Sequence, residues 1–173
     1  MTEPTAVKRV SAPPEEPVVE QGGRLPSLGE IGLDHFAPYL INRISARWNT
    51  DLGGQIKAHG LTTLQMRVLA ILTVMAGSTV NEVAVFAVTE QSTMSRTLDG
   101  MERDGLVRRK NRRGDARVRE LHLTEKGREA FRDVWPVMYE SLKRMFAGFS
   151  DAEYETLIGL LTRVLRNVRR HDF

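Results

Sequence analysis

The sequence predicts a mainly α-helical protein with one β-hairpin beyond its middle. From residue 34 onward, apolar residues recur every three or four positions over most of the chain, which is the period of an amphipathic helix. Between Leu106 and Leu123 the pattern changes to extended runs separated by turn residues, which is typical of a hairpin. Five of the seven prolines lie within the first 27 residues, so we expect regular structure to begin after them.

The composition is that of an ordinary globular chain and excludes several kinds of site. With 173 residues, of which 41% are hydrophobic, the chain can form one domain with a substantial core. Its apolar runs are shorter than the about 20 residues of a membrane helix and its start has no secretory pattern, so we expect a cytoplasmic protein with no membrane partner. The chain has no cysteine and its four histidines are scattered, so we predict no disulfide, no metal site and no cofactor.

The first long helix is predicted from Asp34 to about His59. Pro38 lies near its start, where a helix tolerates proline. Inside the helix, Gly53 and Gly54 each cost about 1 kcal/mol relative to alanine, so either the helix bends there or the pair allows close packing. The apolar side of this helix carries Phe36, Tyr39, Leu40, Ile44 and Trp48.

Two shorter helices follow. Thr62 and Gln65 form a capping box, in which two side chains bond the free amides at a helix start, and the apolar run after it predicts a mostly buried helix. Gly77 breaks that pattern. The segment from Val80 to Val88 predicts a short apolar helix, and we assign its many valines to the core.

The next helix, predicted between Thr89 and Gly105, has one buried seam and one polar face. Met94, Leu98 and Met101 are spaced at i, i+4 and i+7, which places them on one side. Thr89 is the predicted N-cap, and Gly105 is a stop because glycine readily takes the left-handed conformation at a helix end. The polar residues outside the seam therefore remain available to solvent or a partner.

A strongly basic hairpin follows this helix. Between Leu106 and Arg119 the local charge balance is +6 whereas the whole chain carries +3, so the remainder sums to −3. The predicted turn residues are Asn111, Gly114 and Asp115. A run of positive charge is most often a solvated loop, but its place directly after a capped helix favours a nucleic-acid interface, as does the pI near 9.5.

Two helices complete the chain. Thr124 caps a long helix that runs to about Ala147, with Pro136 inside it as an expected kink. Ser150 and Glu153 form a second capping box, and the helix after it has an apolar stripe that extends almost to the chain end. Such a stripe either folds back on its own domain or packs against a second copy of the chain.

This order of elements predicts a winged helix-turn-helix domain that binds double-stranded DNA. A polar-faced helix fits the major groove, while a basic hairpin lies along the backbone and inserts arginine into the minor groove. Two such helices read successive grooves when they lie about 34 Å apart, so we expect a homodimer joined by a helical region from the N- and C-terminal helices. The predicted base-reading residues occupy the first two turns of the helix: Gln91, Ser92, Thr93, Ser95 and Arg96.

Four short motifs occur in a fixed order across this region. They are Ser92-Thr93 with Ser95-Arg96, Gly105-Leu106-Val107, Asp115-Ala116-Arg117, and Leu123-Thr124-Glu125-Lys126-Gly127. Their order and spacing resemble the MarR family of bacterial transcription regulators, in which the wing carries an Asp-x-Arg element followed by a Leu-Thr-x-x-Gly helix start. The order of elements matches that family from about residue 34 to residue 170.

The resemblance implies which wing residues contact DNA. Arg117, the arginine of the Asp-x-Arg element, is the implied wing tip, and Asp115 orients it through a charge-assisted pair. Arg112 and Arg113 extend the same tip. Two arginines of the first strand are expected to neutralise phosphates or to be solvated: Arg108 and Arg109.

The resemblance also implies a small-molecule effector. The resemblance implies a sensor of small, often aromatic anions. The anion is expected to bind between the first helix, the DNA-binding lobe and the dimer core. Tyr39 and Trp48 are expected to line such a pocket, and Arg43 or Arg47 to pair with a carboxylate, although core packing explains Trp48 equally well. The implied function is a homodimeric repressor that leaves a palindromic operator when it binds an aromatic acid or its thioester conjugate.

The predicted organisation has four parts along the chain. They are a disordered or loosely docked arm over residues 1–27, the first helix for dimerisation and ligand binding over 28–60, the winged helix-turn-helix lobe over 61–124, and the C-terminal dimerisation helices over 125–173.

Other functional classes predict different features. An enzyme is disfavoured because the sequence has no nucleophile elbow, phosphate-binding loop, dinucleotide fingerprint, metal-ligand spacing or paired carboxylates in a motif. An architectural DNA-binding protein without an effector would use the same hairpin, but it would need no groove-sized polar helix and would show little preference between operator and random DNA. A structural protein that uses only the helical dimer would not bind DNA at all.

Overall fold

The computed structural model describes residues 25–168, so residues 1–24 of the arm predicted over residues 1–27 lie outside them. The described part is mainly helical with one two-stranded sheet, as predicted. In chain order its elements are α1 (Leu28–Ile31), α2 (Ala37–Ala58), α3 (Thr63–Val74), α4 (Val80–Phe86), α5 (Gln91–Arg103), β1 (Val107–Arg112), β2 (Asp115–Leu123), α6 (Glu125–Met145) and α7 (Asp151–Val168). The short α1 was not predicted, although Ser27 and Glu30 form a capping box at its start.

The chain divides into two compact units, with the boundary inside α2 between Ala46 and Arg47. In the first unit, the apolar side predicted for the first helix is exposed at Phe36, Leu40 and Ile44. In the second unit, α2 contributes the fully buried Leu52 and Ile56 to the core. Among the described residues, the fully buried positions of α2 therefore lie in its C-terminal half.

The hydrophobic core of the second unit is built around α3 and α5. The predicted seam of α5 is confirmed, because Met94, Leu98 and Met101 each have no exposed side-chain surface. The remaining core residues come from α2, α3, α4, α6, the wing and the links between these elements: Leu52, Ile56, Leu61, Met66, Val68, Leu69, Leu72, Val83, Ala84, Ala87, Leu106, Val107, Leu121, Leu123 and Val134. The core thus joins the helix-turn-helix pair of α4 and α5 to the wing.

Most helix starts follow the sequence, but that of α5 does not. The capping box of Thr62 and Gln65 is present, and Ser150 and Glu153 make the same pair of bonds. The prediction of Thr89 as N-cap of α5 is wrong: the N-cap is Glu90, which makes no side-chain capping bond. The Thr89 amide instead donates to the Ala84 carbonyl at 3.0 Å, which closes the turn after α4 and keeps Thr89 outside the helix.

The end of α5 has the predicted glycine stop. Gly105 has a φ of 72°, its amide donates to Glu102, and the Leu106 amide donates to the Met101 carbonyl at 2.8 Å. This pair of bonds is the Schellman motif, which satisfies carbonyls that the helix leaves free.

The wing is an antiparallel hairpin in which Val107 lies opposite Leu123. The turn consists of Arg113 and Gly114, and Gly114 has a φ of 90°. Of the predicted turn residues, only Gly114 lies in the turn, because its positive φ permits a tight reversal that leaves Asn111 in β1 and Asp115 in β2.

The glycine pair and the proline leave their helices continuous. Both Gly53 and Gly54 lie inside α2, and a Cβ on Gly54 would have no heavy atom within 4 Å, while one on Gly53 would meet only the Thr63 hydroxyl at 3.9 Å. Close packing therefore does not explain the pair. The α6 helix runs through Pro136 to Met145.

Candidate nucleic-acid interface

The N-terminal half of α5 presents the predicted base-reading residues to solvent. Four of the five are exposed and Ser95 is half-buried, while Met94 and Leu98 turn into the core between them. The exposed residues are Gln91, Ser92, Thr93 and Arg96. The helix therefore offers amide, hydroxyl and guanidinium groups on its solvent side, which are the groups that read base edges in the major groove.

Arg109 ties this helix to the wing. From β1, its Nη2 bonds the Asp99 carboxylate at 2.7 Å and its Nη1 bonds Glu102 at 2.5 Å. The Arg109 backbone amide also donates to Glu102, at 3.1 Å. We call this group of three residues the Arg109 clamp.

The side chain of Arg109 is only 17% exposed, so the expectation that it neutralises phosphate or is solvated is wrong. The physical reason is that β1 lies beside α5, where two carboxylates one helical turn apart bind the guanidinium fork. Burial lowers the pKa of the Arg109 guanidinium, but the hydrogen bonds with Asp99 and Glu102 outweigh it, so the net shift is upward.

The wing tip carries exposed cations. The side chain of Arg117 is 97% exposed, and its Nε lies 3.8 Å from the Asp115 carboxylate. The Asp115 carboxylate instead accepts a closer hydrogen bond from the Arg117 backbone amide, at 3.1 Å. The predicted pair of Asp115 with the Arg117 guanidinium is therefore present only as a long contact, and the closer bond of Asp115 holds the backbone at the tip. Arg113, in the turn, is exposed as well.

Arg112 is held against the wing surface. Its Nε bonds the Glu120 carboxylate at 2.7 Å, and the other oxygen of Glu120 lies 3.6 Å from His122 Nε2. The hydrogen bond from Arg112 is the largest cause of the lowered pKa of Glu120. Of the predicted wing arginines, Arg112 thus has its guanidinium bonded to Glu120 through Nε, whereas Arg113 and Arg117 extend from the tip.

The root of the wing is joined to α6 by close backbone packing. The Thr124 hydroxyl accepts from the Gly127 amide at 3.0 Å and lies 2.5 Å from the Gly105 carbonyl, to which it donates. A Cβ on Gly127 would lie 2.0 Å from the Leu106 carbonyl oxygen, so this position requires glycine. The Leu-Thr-x-x-Gly motif therefore has a structural role. Its threonine caps the start of α6 and also bonds the Gly105 carbonyl after α5, while its glycine allows the close approach to Leu106.

A second attachment holds the other strand. The Leu121 amide donates to the Ser78 carbonyl and its own carbonyl accepts from the Gly77 amide, each at 2.9 Å. The wing is thus fixed to the segment after α3 as well as to α5.

The predicted ligand residues lie along α2. Arg43 donates to the Tyr39 hydroxyl at 3.0 Å and lies over its ring. Arg47 is mostly exposed and pairs with Asp51 at 3.4 Å. Trp48 is half-buried and packs against the core of the second unit, in agreement with the core alternative.

A groove between α3 and α6 was not predicted. It has a volume of about 550 Å³ and is lined by Ala70, Thr73, Val74, Arg128, Phe131, Arg132 and Trp135. A smaller cavity of about 200 Å³ adjoins it, since both are lined by Thr73 and Arg128, and it adds Arg108 and His122. The signal in the sequence is a spacing of four: Phe131, Trp135 and Tyr139 stack along α6 with ring centroids 5.9 Å apart.

Residues 25–168 lack two further features, a metal-binding cluster and a membrane-spanning helix. This part of the chain holds no group of three or more histidine or acidic side chains placed to bind a metal ion. It also contains no helix with the length and apolar character needed to cross a membrane.

Known proteins share this architecture. A family model described as the MarR family matches residues 59–118. A transcriptional regulator of the MarR family from Silicibacter pomeroyi, of known crystal structure, is 43% identical, with a TM-score of 0.80 and coverage of 86% of this chain and 100% of that one.

Two further relatives carry functional names. The HTH-type transcriptional repressor IacR of Pseudomonas putida is 27% identical over 143 residues, which are 83% of this chain and 86% of that protein. The M. tuberculosis transcriptional regulator MOSR, whose structure is a complex with DNA, is 29% identical, with a TM-score of 0.58 and coverage of 77% of this chain and 98% of that one.

Proposed function

This chain belongs to the MarR family of transcriptional regulators, and from that premise we propose that it is a repressor that binds a palindromic DNA operator as a homodimer. The observation that carries the proposal is the pairing of α5 with the wing. The exposed polar end of α5 and the exposed Arg113 and Arg117 belong to one unit, and the Arg109 clamp joins the two elements. Such a unit can place a helix in the major groove and arginine beside it at the same time.

The homodimer is supported by the apolar surface of α7. Within the described residues, this helix buries no side chain. Its exposed apolar residues recur at helical spacing along its length: Ile158, Leu161, Leu165 and Val168. Exposure of a continuous apolar stripe to water is unfavourable in free energy, and packing against a second copy would bury the stripe. Phe36, just before α2, and Leu40 and Ile44 of α2 are exposed in the first unit and offer a further apolar surface for a second copy.

The DNA proposal can be tested by selection from a random library. Purified protein is incubated with duplexes that carry a randomised central region, and bound duplexes are amplified and sequenced. We expect a two-fold symmetric consensus with half-sites about one helical turn apart, bound by two chains. A population without a consensus would instead support an architectural DNA-binding protein, and the absence of bound DNA would support a structural role.

We further propose that the effector is an aromatic anion that binds in the α3–α6 groove. Phe131 and Trp135 provide an aromatic wall. Arg132 is mostly exposed, and its nearest acidic atom, on Glu125, lies 3.9 Å away. Arg128 already donates hydrogen bonds to the Glu125 carboxylate at 2.9 Å and to the Leu123 carbonyl at 3.2 Å. An apolar groove with a few cationic groups suits an aromatic acid or its thioester conjugate.

Effector binding can be measured by calorimetry with benzoate and benzoyl-coenzyme A, and with benzamide as the uncharged match. We expect the anions to bind more tightly than benzamide, and the Arg132→Gln variant to lose that difference. Arg43→Gln and Arg47→Gln variants test the pocket predicted along α2 in the same way.

If the ligand releases DNA, saturating operator must weaken ligand binding by the same factor by which the ligand weakens DNA binding. A factor of about 100 corresponds to about 2.7 kcal/mol of coupling. Equal affinity with and without operator would contradict the switch.

A further inference from the structure

We propose that Arg109 is a positioning residue for operator recognition: it sets the orientation of α5 relative to the wing and contacts no phosphate itself. The inference rests on the proposed DNA-binding function. It assigns to Arg109 a role that differs from that of the exposed arginines at the wing tip.

The geometry of the clamp is directional. Asp99 and Glu102 lie three residues apart on α5, so one guanidinium from β1 binds two successive positions of one helix face. The backbone amide of Arg109 adds a third bond, to the second oxygen of the Glu102 carboxylate. Three bonds from one strand residue restrict both sliding and rotation of α5 against β1, which a single ion pair would not do.

The hydrogen bonds of Arg109 leave its guanidinium little capacity to bind DNA. Both of its terminal nitrogens are bound to carboxylates and its side chain is 17% exposed. Arg117, by comparison, is 97% exposed and lies 3.8 Å from its nearest carboxylate. A phosphate would have to displace two short charge-assisted bonds to reach Arg109, whereas it can approach Arg117 from solvent.

The clamp matters for recognition because α5 and the wing must fit the duplex together. Met94, Leu98 and Met101 hold α5 on the core, but apolar packing is not directional. The chain connection between α5 and β1 passes through Gly105, at the end of the helix away from the reading residues. The Arg109 clamp is a polar link between the body of α5 and the wing, so it limits how far the reading end can turn away from the wing.

The substitution Arg109→Lys separates this role from the alternatives. Lysine keeps the charge and can still neutralise a phosphate, but it lacks the planar fork that binds two carboxylates. The matched control is Arg108→Lys, the same change at the neighbouring exposed position of β1. Binding is measured by fluorescence anisotropy with the selected operator and with a scrambled duplex of equal length, over a range of salt concentrations and well below the melting temperature of each variant.

We expect Arg109→Lys to lower the preference for operator over scrambled DNA by about 10-fold, while the slope of log K against log salt stays unchanged because no charge is lost. Arg108→Lys should leave the preference unchanged. An unchanged preference in Arg109→Lys would overturn the inference, whatever happens to its melting temperature, since a merely structural or phosphate-binding arginine would give that result.

A second variant guards against misfolding. Asp99 is 57% exposed, so Asp99→Ala removes the acceptor of one arm of the clamp at an exposed helical position and leaves the two bonds of Arg109 with Glu102. We expect it to fold, as judged by circular dichroism, and to lose preference in the same direction as Arg109→Lys. Full preference in Asp99→Ala would also overturn the inference. If the unaltered protein itself failed to distinguish operator from scrambled DNA, the proposed function would fail instead.

Discussion

Gly127 lies against Leu106 so closely that a Cβ on the glycine would be 2.0 Å from the leucine carbonyl oxygen. Leu106 is the last residue of the short link between α5 and the wing, and Gly127 is in the first turn of α6. The long C-terminal helix thus starts in direct contact with the DNA-binding elements.

Replacing Gly127 with alanine should therefore destabilise the protein. The added methyl group meets backbone that cannot rotate away, and overpacking of this kind costs about 1–3 kcal/mol. The measurement is the free energy of unfolding in urea. Gly54→Ala is the matched control, since that position is open and helical and should gain about 1 kcal/mol. Equal effects at the two sites would show that the close contact is absent.

Val88 is the second site where the backbone predicts a stability change. It has a φ of 54°, which is unfavourable for a β-branched residue, and its side chain is 84% exposed. Val88→Gly should raise the free energy of unfolding by about 1 kcal/mol, because it relieves that strain without losing buried surface. Val74 is also 84% exposed but lies in α3, so Val74→Gly should be destabilising. A loss of stability in both variants would argue against strain at Val88.

The pairing of Arg112 with Glu120 predicts a change in titration. The hydrogen bond from Arg112 lowers the pKa of Glu120 below its ordinary value of 4.5. Because the pKa is lower in the folded state, the bond stabilises the fold above the ordinary pKa, and this contribution is lost as pH falls through the lowered value. Arg112→Gln should return the Glu120 pKa towards 4.5, as followed by NMR of the side-chain carboxyl. Glu153, whose pKa is lowered by Ser150, should titrate as before in that variant.

The apolar stripe of α7 predicts the effect of a charge at the interface. Leu161→Arg places a cation in the stripe and should convert a species of twice the 19.5 kDa chain mass into a monomer. Arg163→Glu, on the polar side of the same helix, should leave the mass unchanged. Light scattering coupled to size exclusion measures both. A dimer that persists in Leu161→Arg would place the interface elsewhere.

The local elements of this protein were predictable from sequence because short-range physics determines them. The capping boxes at Thr62 and Ser150 and the glycine stop at Gly105 involve residues within about one helical turn of each other. The seam through Leu98 follows from helical period alone. The charge of the hairpin needs no fold to be counted.

Tertiary structure decided which partners these residues meet. Arg109 has the same side chain as its neighbour Arg108, and only the approach of β1 to Asp99 and Glu102 makes it a clamp. Thr89 is a residue type that favours the N-cap position, but its amide donates a hydrogen bond to the Ala84 carbonyl across the turn. The spacing of apolar and charged residues determines which faces exist, whereas the packing of distant segments determines which of those faces are covered. That is why the sequence by itself predicted the helix-turn-helix, the wing and the polar face of α5, while the Arg109 clamp, the contact of Gly127 with Leu106 and the α3–α6 groove required the fold.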